Sequence, residues 1–479
     1  MRKIALFAAS IVTAAAWLAP ASAADEEKVN TYGEVRARAE VLENYFDLDD
    51  DDNEDSVSFG SWRASLGLES AFSKNVKGLV EIQGFGTWGG GRTPNVSFAD
   101  PFGGTVSNPA ICPAGVRQSC DEFDVDLDVY QAHITMESIG GSGANLRIGR
   151  QEHVIGTELQ LGNNDFYNGT SFDGVRLWWE IEGYVPELFF YIIDENDIDE
   201  NESESTGNFS GGDEDVTLGG IDVDIALAED GQHIQPYVLY YRDGDFFGGH
   251  VWTVGAQYGR PAPREASGFS VDWNAEAAIQ LGDFSPNGVD FSYGGSIFEF
   301  WVGFNFAHGD RGHSRVHVGG LMASGDDDLG DDDFDYFVPM FPDNHAHGRT
   351  GNLDLFSGAT FNNTVDVFVS GFGLAGEGGL SNITDYVVGY GYRRGPHDVM
   401  ATAHMLSLTE DGIHRSVFLT TDDEVGLELD LVYGFDYSAN LGFQVGAAQL
   451  STGGLLEQLF GSDIDDIKRL WAQAKLSWD

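Results

Sequence analysis

The sequence has no apolar run of eighteen residues beyond its extreme N-terminus, which excludes a bundle of membrane-spanning helices. Basic residues are scarce: 25 Lys and Arg stand against 78 Asp and Glu, for a net charge of -53. A surface of that sign repels phosphate backbones and attracts cations, so nucleic acid is excluded as a partner. Cysteine is almost absent. Cys112 and Cys120 lie in the polar segment NPAICPAGVRQSCDE; in an exported chain they read as one local disulfide, and two thiols are too few for a metal centre. Helical periodicity is nearly missing, as are Pro-rich hinges and breaks in composition, although a chain of this length commonly divides into about two or three globular domains. Catalytic signatures are missing too, with no GxSxG elbow, zinc-protease helix or phosphate loop. The expectation is a single-domain protein that is not an enzyme and carries no cofactor.

What is present begins with an address. Arg2 and Lys3 precede an apolar stretch and the small-residue site Ala21-Ser22-Ala23, the pattern of a secretory signal peptide over residues 1–23 that leaves one domain over 24–479.

Beyond it, alternation with a period of two repeats from end to end. In TYGEVRARAEV (31–41), Glu34, Arg36, Arg38 and Glu40 occupy one phase and Val35, Ala37, Ala39 and Val41 the other. Arg63 and Glu69 stand opposite Trp62, Leu66 and Leu68, and Glu81 and Gln83 opposite Val80 and Ile82. Arg147 and Arg176 share the polar phase of two later segments, and Glu180, Glu428 and Asp430 continue it. About twenty such segments of roughly ten residues can be marked, among them 352–361 and 364–374, and ten residues is the length that crosses a bilayer at the tilt of a barrel. Short connections such as 73–75 and 436–440 interleave with long acidic ones such as 43–57, 87–123, 152–171, 194–215 and 324–351.

Energetics decide which phase faces where. A strand Arg or Lys facing lipid costs roughly 2 to 4 kcal/mol at mid-bilayer, so a handful of them would exceed a typical folding free energy of about 5 to 15 kcal/mol. The charged phase must line the interior. Unpaired backbone groups in hydrocarbon each cost several kcal/mol, and only closure of the sheet removes them. These constraints predict an all-β transmembrane antiparallel barrel of about twenty strands, to within two or so, with short periplasmic turns and long acidic extracellular loops.

The stretch RIGRQEHVIGTELQLGNNDFYNGTSFDGVRL (147–177) is the most distinctive. Arg147-Ile148-Gly149-Arg150-Gln151, a Gly- and Asn-rich loop with Asp165, and Phe172-Asp173-Gly174-Val175-Arg176-Leu177 resemble the RxGRQ…D(W/F)…(T/S)FDGVRL signature of the alginate-export family of outer-membrane porins. Ser324 to Asp328 with Phe341-Pro342 and His345 or His347, and the late strand Val425-Gly426-Leu427-Glu428-Leu429-Asp430, are similar to further motifs of that family. The resemblance implies a monomeric outer-membrane barrel of about eighteen strands, with a range of 16–20, surrounded by lipid and lipopolysaccharide, whose lumen in the alginate exporter itself is lined by arginine for a polyanion. Here carboxylates share the wall, so the expected cargo is small hydrophilic or saccharide-like solutes passing a mixed-charge lumen. Arg36, Arg38, Arg63, Arg147, Arg176, Glu34, Glu81, Glu180, Glu428 and Asp430 are the candidate lumen residues. Arg150, Gln151, Asp165 and Asp173 are candidate anchors of the 152–171 loop, with Arg150 and Asp173 expected as buried partners at the rim.

Two alternatives remain open at this point: a barrel hydrolase with a Ser/His/Asn site, which no motif marks, and a pore-closed barrel. The acidic loops could be the functional part of a pore-closed barrel, acting as a surface adhesin or divalent-cation binder, with calcium at Asp326, Asp327 and Asp328 as the candidate site. Their spacing does not match an EF-hand loop. His345 and His347 offer two metal ligands and no third.

Overall fold

The computed structural model describes residues 29–44, 57–88, 97–99, 105–107, 125–163, 169–194, 216–243, 249–262, 268–285, 290–328, 331–343, 380–410, 421–460 and 464–478. The expected signal segment 1–23, Cys112, Cys120, Asp165, His345, His347 and the expected strands 352–361 and 364–374 lie outside them.

Eighteen strands form the wall. They are β1 Val29–Glu43, β2 Val57–Ser73, β3 Val76–Trp88, β4 Val125–Met136, β5 Ala144–Gln151 and β6 Phe172–Trp179. Next come β7 Tyr184–Asp194, β8 Val216–Ala226, β9 His233–Asp243, β10 Gly249–Arg260, β11 Phe269–Phe284 and β12 Ser296–Ala307. The ring is completed by β13 His313–Ala323, β14 Ile383–Arg394, β15 His397–Leu408, β16 Glu424–Asp436, β17 Leu441–Thr452 and β18 Ile467–Trp478. Each pairs antiparallel with its neighbour in sequence, and β18 returns to β1 in a register running from Gly33↔Trp478 to Glu43↔Lys468. Closure satisfies the two edges that would otherwise be left in hydrocarbon. β13 pairs directly with β14, from His313↔Arg393 to Met322↔Thr384.

Connections on one side are two to eight residues long, and most on the other exceed ten. One of the two tightest, Gly395-Pro396 between β14 and β15, is closed by the Arg394↔His397 pair. Gly395 has φ 56°, a left-handed backbone that glycine accepts without strain. Among the described residues one α-helix, α1 Gly454–Phe460, lies in the β17–β18 connection.

The two phases separate as charge and lipid demand. Val35, Leu66, Val80, Ile134, Ile148, Val254, Leu429 and Leu470 point outward and are exposed. Arg36, Arg38, Glu40, Arg63, Glu81, Glu276, Glu299, Glu428 and Asp430 point inward and are buried. Outside the protein the matching solvent is hydrocarbon.

This assignment makes a stability prediction. Leu429 lies mid-strand in β16 with 55 % exposure, so Leu429→Arg is expected to cost about 2 to 4 kcal/mol, measured by urea unfolding in lipid vesicles. A change below about 0.5 kcal/mol, the size typical of an unconstrained surface position, would place Leu429 in water instead.

Candidate functional site

β5 and β6 have eight residues each, whereas every other wall strand has at least eleven. Their connection therefore leaves the wall below the rim and turns into the lumen. At its root Glu152 accepts hydrogen bonds from Tyr130 Oη (2.5 Å) and Gln131 Nε2 (3.3 Å). Burial pushes the Glu152 carboxyl up from its ordinary range. Burial, aided by Arg176 and Arg147, holds the neighbouring His153 imidazole well below its ordinary value and neutral. Ile155, Leu159 and Leu161 are buried beneath a turn closed by Ile155 N donating to Leu161 O at 3.0 Å.

The tip of this loop is held six and seven strands further round the wall. Gly156 N donates to Gln235 Oε1 at 3.1 Å. Thr157 N donates to Glu276 Oε2 at 2.5 Å, and the Thr157 hydroxyl lies 2.8 Å from Glu276 Oε2 and 2.7 Å from Glu299 Oε2. Tyr237 Oη donates to Glu276 Oε1 at 2.7 Å. Gly156 has φ 60°, and a Cβ there would run into the Glu276 carboxylate. Glycine is thus required both by the backbone and by the close approach. Hydrogen bonds to charged acceptors inside a protein are the stronger kind, so the tip is well anchored.

A second inward segment lies against the first. Val338 exchanges two hydrogen bonds with the Gln280 side chain, 2.9 Å to Oε1 and 2.7 Å from Nε2. Phe341 N donates to Gln160 O (2.9 Å), Gly162 N to Phe341 O (2.8 Å) and Asp343 N to Glu158 O (3.0 Å). Tyr336, Phe337 and Met340 join Leu159, Leu161 and Tyr191 in one buried apolar cluster. The sequence signal for this insertion is the run YFVPMF at 336–341, between aspartates.

The remaining wall is charged in sectors. Arg36, Arg63 and Lys475 stand in register on three adjacent strands. Arg38 Nε lies 2.8 Å and Arg469 Nε 2.9 Å from the Glu40 carboxylate, and Lys475 Nζ lies 2.6 Å from Glu34. Arg63 Nε donates to Gln83 at 3.2 Å, and Glu81 accepts from Tyr32 Oη (3.0 Å) and Gln131 (2.9 Å). Nine strands round the ring from β2 stands β11 with Asp272 and Glu276, next to Glu299 on β12. Cations on β18, β1 and β2 therefore face carboxylates across the lumen. Asp385, Glu428 and Asp430 extend the acidic sector, with His404 Nδ1 at 2.9 Å from Asp385 and Nε2 at 3.6 Å from Asp430. Below the loop tip, on the short-turn side, a cavity of about 530 Å³ is lined by Thr157, Asp272, Asn274, Trp301, Arg315 and His317 among others.

Most expected lumen residues are where alternation puts them. Arg36, Arg38, Arg63, Glu81, Glu428 and Asp430 are inward and buried, and Arg147, Arg176 and Glu34 are inward and half-buried. Arg147 Nε donates to Thr135 Oγ1 at 3.1 Å, and Arg176 grips Glu187 with two nitrogens. Glu180 departs from the expectation. β6 ends at Trp179, a turn bridged by Ile181 and Tyr184 follows, and Glu180 is exposed there, outside the wall. Arg150 and Asp173 are partners as expected, at 2.9 Å and 2.5 Å, but Asp173 is exposed and Arg150 only half-buried. They share the outward phase with Ile148 and Val175, so they lock β5 to β6 from outside. Gln151 is buried and donates to Gly149 O and Gly174 O at 3.0 and 3.3 Å. At the calcium candidate, Asp326 is buried and accepts from Asp328 N at 3.0 Å, while Asp327 and Asp328 are exposed. Among the described residues, the metal-ligating group brought within 4.8 Å is His153, Glu187 and Asp222 instead. Sequence reading left out Glu187, Glu299, Asp385 and His404; Glu299 was legible as the lone acid in phase within SIFEFWVGF.

No protein-family model and no curated protein matches the chain. Solved structures do. Acinetobacter baumannii OccAB3 is 10 % identical with TM-score 0.54, over 94 % of this chain and 100 % of that one. OccAB1 from the same organism is 9 % identical with TM-score 0.53, over 94 % and 97 %. OccAB2, also from Acinetobacter baumannii, is 11 % identical with TM-score 0.52, over 94 % and 98 %. What is shared at such identity is the fold.

Thr157→Val keeps the shape of the tip and deletes its hydroxyl contacts to Glu276 and Glu299. A loss of about 1 to 2 kcal/mol is expected, read as roughly 5- to 30-fold faster hydrogen exchange of the 155–161 amides. Unchanged exchange would show that the hydroxyl does not hold the loop.

Proposed function

We propose that the protein is an outer-membrane channel that passes small hydrophilic or saccharide-like solutes through a mixed-charge lumen, working as a monomer embedded in lipid and lipopolysaccharide after signal-directed export. The observation that carries this reading is the loop of 152–163 seated on Glu276 and Glu299 inside a closed wall with apolar outer and polar inner faces. A barrel built only to display loops has no use for a polar interior or for a tethered constriction. The short turns then face the periplasm and the acidic connections the exterior, as in barrels of this class.

The alginate-export likeness bears on construction. The residues that carry it, 147–177, build β5, the inward loop and β6, the module that narrows the lumen. Cargo is a separate matter, because cations on β18, β1 and β2 face carboxylates on β11 and β12. Such a field runs across the passage, aligning dipolar solutes and holding neutral polar ones, whereas a polyanion meets repulsion from half the ring. Loop carboxylates weigh less on selectivity, since they are screened within about 8 Å at physiological salt.

A pore-closed barrel is the second reading, favoured by the mutual hydrogen bonding of the two inward segments and their buried apolar cluster. Flux separates the two. Liposomes carrying the folded protein are expected to swell in neutral mono- and disaccharides, more slowly as solute size rises; no swelling would leave only the closed barrel. Under a salt gradient the reversal potential should shift toward cation preference on Arg63→Gln. A strong anion preference in the parent protein would restore a polyanion cargo.

A further inference from the structure

The inward loop meets the wall at a second place, which solute passage does not use. Glu187 on β7 and Asp222 on β8 are direct cross-strand partners, and both carboxylates point inward at 8 % and 5 % exposure. Like charges placed opposite each other destabilise a sheet. His153, at 3 % exposure, comes down from the loop onto this pair. One ligand atom from each of the three lies within 4.8 Å of the others, and His153 Nε2 is 3.4 Å from Glu187 Oε1. Donors held about 2.1 Å from a zinc ion are themselves about 3.4 Å apart along a tetrahedral edge.

Two further contacts point to a ligand. His153 Nδ1 is 2.8 Å from Tyr191 Oη, the outer contact that fixes the ring of a metal-binding histidine and leaves Nε2 to coordinate. Asp222 Oδ1 accepts from Gln235 Nε2 at 2.9 Å, whereas Asp222 Oδ2 is buried with no hydrogen-bond partner. A buried carboxylate oxygen left in that state is costly, and a cation relieves it. The Arg176 guanidinium gives its hydrogen bonds to Glu187, so Asp222 Oδ2 still lacks a donor.

We propose that His153, Glu187 and Asp222 form a binding site for a divalent transition-metal ion, with zinc as the best match to an imidazole and two carboxylates. The ion would fasten the root of the inward loop to β7 and β8, as Thr157 fastens its tip to β11 and β12. Neither the cargo nor the conductance of the barrel enters this inference.

The test uses the full-length chain, folded in detergent and stripped with a chelator. Zinc is titrated calorimetrically in excess calcium, which occupies the loop carboxylates. One zinc equivalent is expected. Asp222→Asn and His153→Gln should each weaken it more than tenfold, and Tyr191→Phe by about tenfold, the range for loss of an outer contact. Cobalt in place of zinc should give visible absorption that Asp222→Asn abolishes. Folding of each variant is verified by heat-modified migration; if the first two do not fold, Tyr191→Phe decides. No stoichiometric zinc on the folded parent, or zinc binding that the folded variants leave unchanged, would overturn the proposal.

Discussion

Backbone hydrogen bonding has no substitute in hydrocarbon, and the ladder between β18 and β1 is where the chain meets that demand. Its eleven-residue register, Gly33↔Trp478 to Glu43↔Lys468, converts a sheet with two open edges into a ring without any. Everything else inherits from it. Once the ring closes, each strand has one face toward lipid and one toward a shared interior, and a residue's phase decides its solvent. Arg36 and Arg38 can be buried on β1 only because Val35, Ala37 and Ala39 take the other side.

The interior then has its own electrostatic problem, since many charges share a limited volume. The wall solves much of it locally, through Arg38 and Arg469 on Glu40, Arg176 on Glu187 and Arg315 on Asp272. The Glu276–Glu299 pair is answered instead by a loop that crosses the lumen to reach it. Charge that would destabilise an unfilled wall thus becomes the anchor of the constriction. Two short strands, β5 and β6, make the crossing feasible, because they let the chain leave the wall below its rim.

Period-two alternation made the wall legible, including the inward placement of Arg63, Glu81 and Asp430, because the pattern is local and lipid punishes any exception. The segments 352–361 and 364–374, marked by the same period, lie outside the described residues. Pairing of Arg150 with Asp173 was legible from the motif, and their outward face follows from the phase they share with Ile148 and Val175. The tethers were not legible. Thr157 and Glu276 are 119 residues apart, and nothing in either neighbourhood names the other. The YFVPMF insertion was hidden by the aspartates around it, and Glu187 and Asp222 become a pair only through the β7–β8 ladder.

The most direct test of a closed barrel narrowed by a tethered loop is single-channel recording in a planar bilayer, with the parent protein beside Glu276→Ala. Discrete, stable openings are expected from the parent. Cutting the tether should give larger and noisier openings as the loop tip leaves its seat. Absence of conductance from both folded proteins, or identical conductance in the two, would contradict the account.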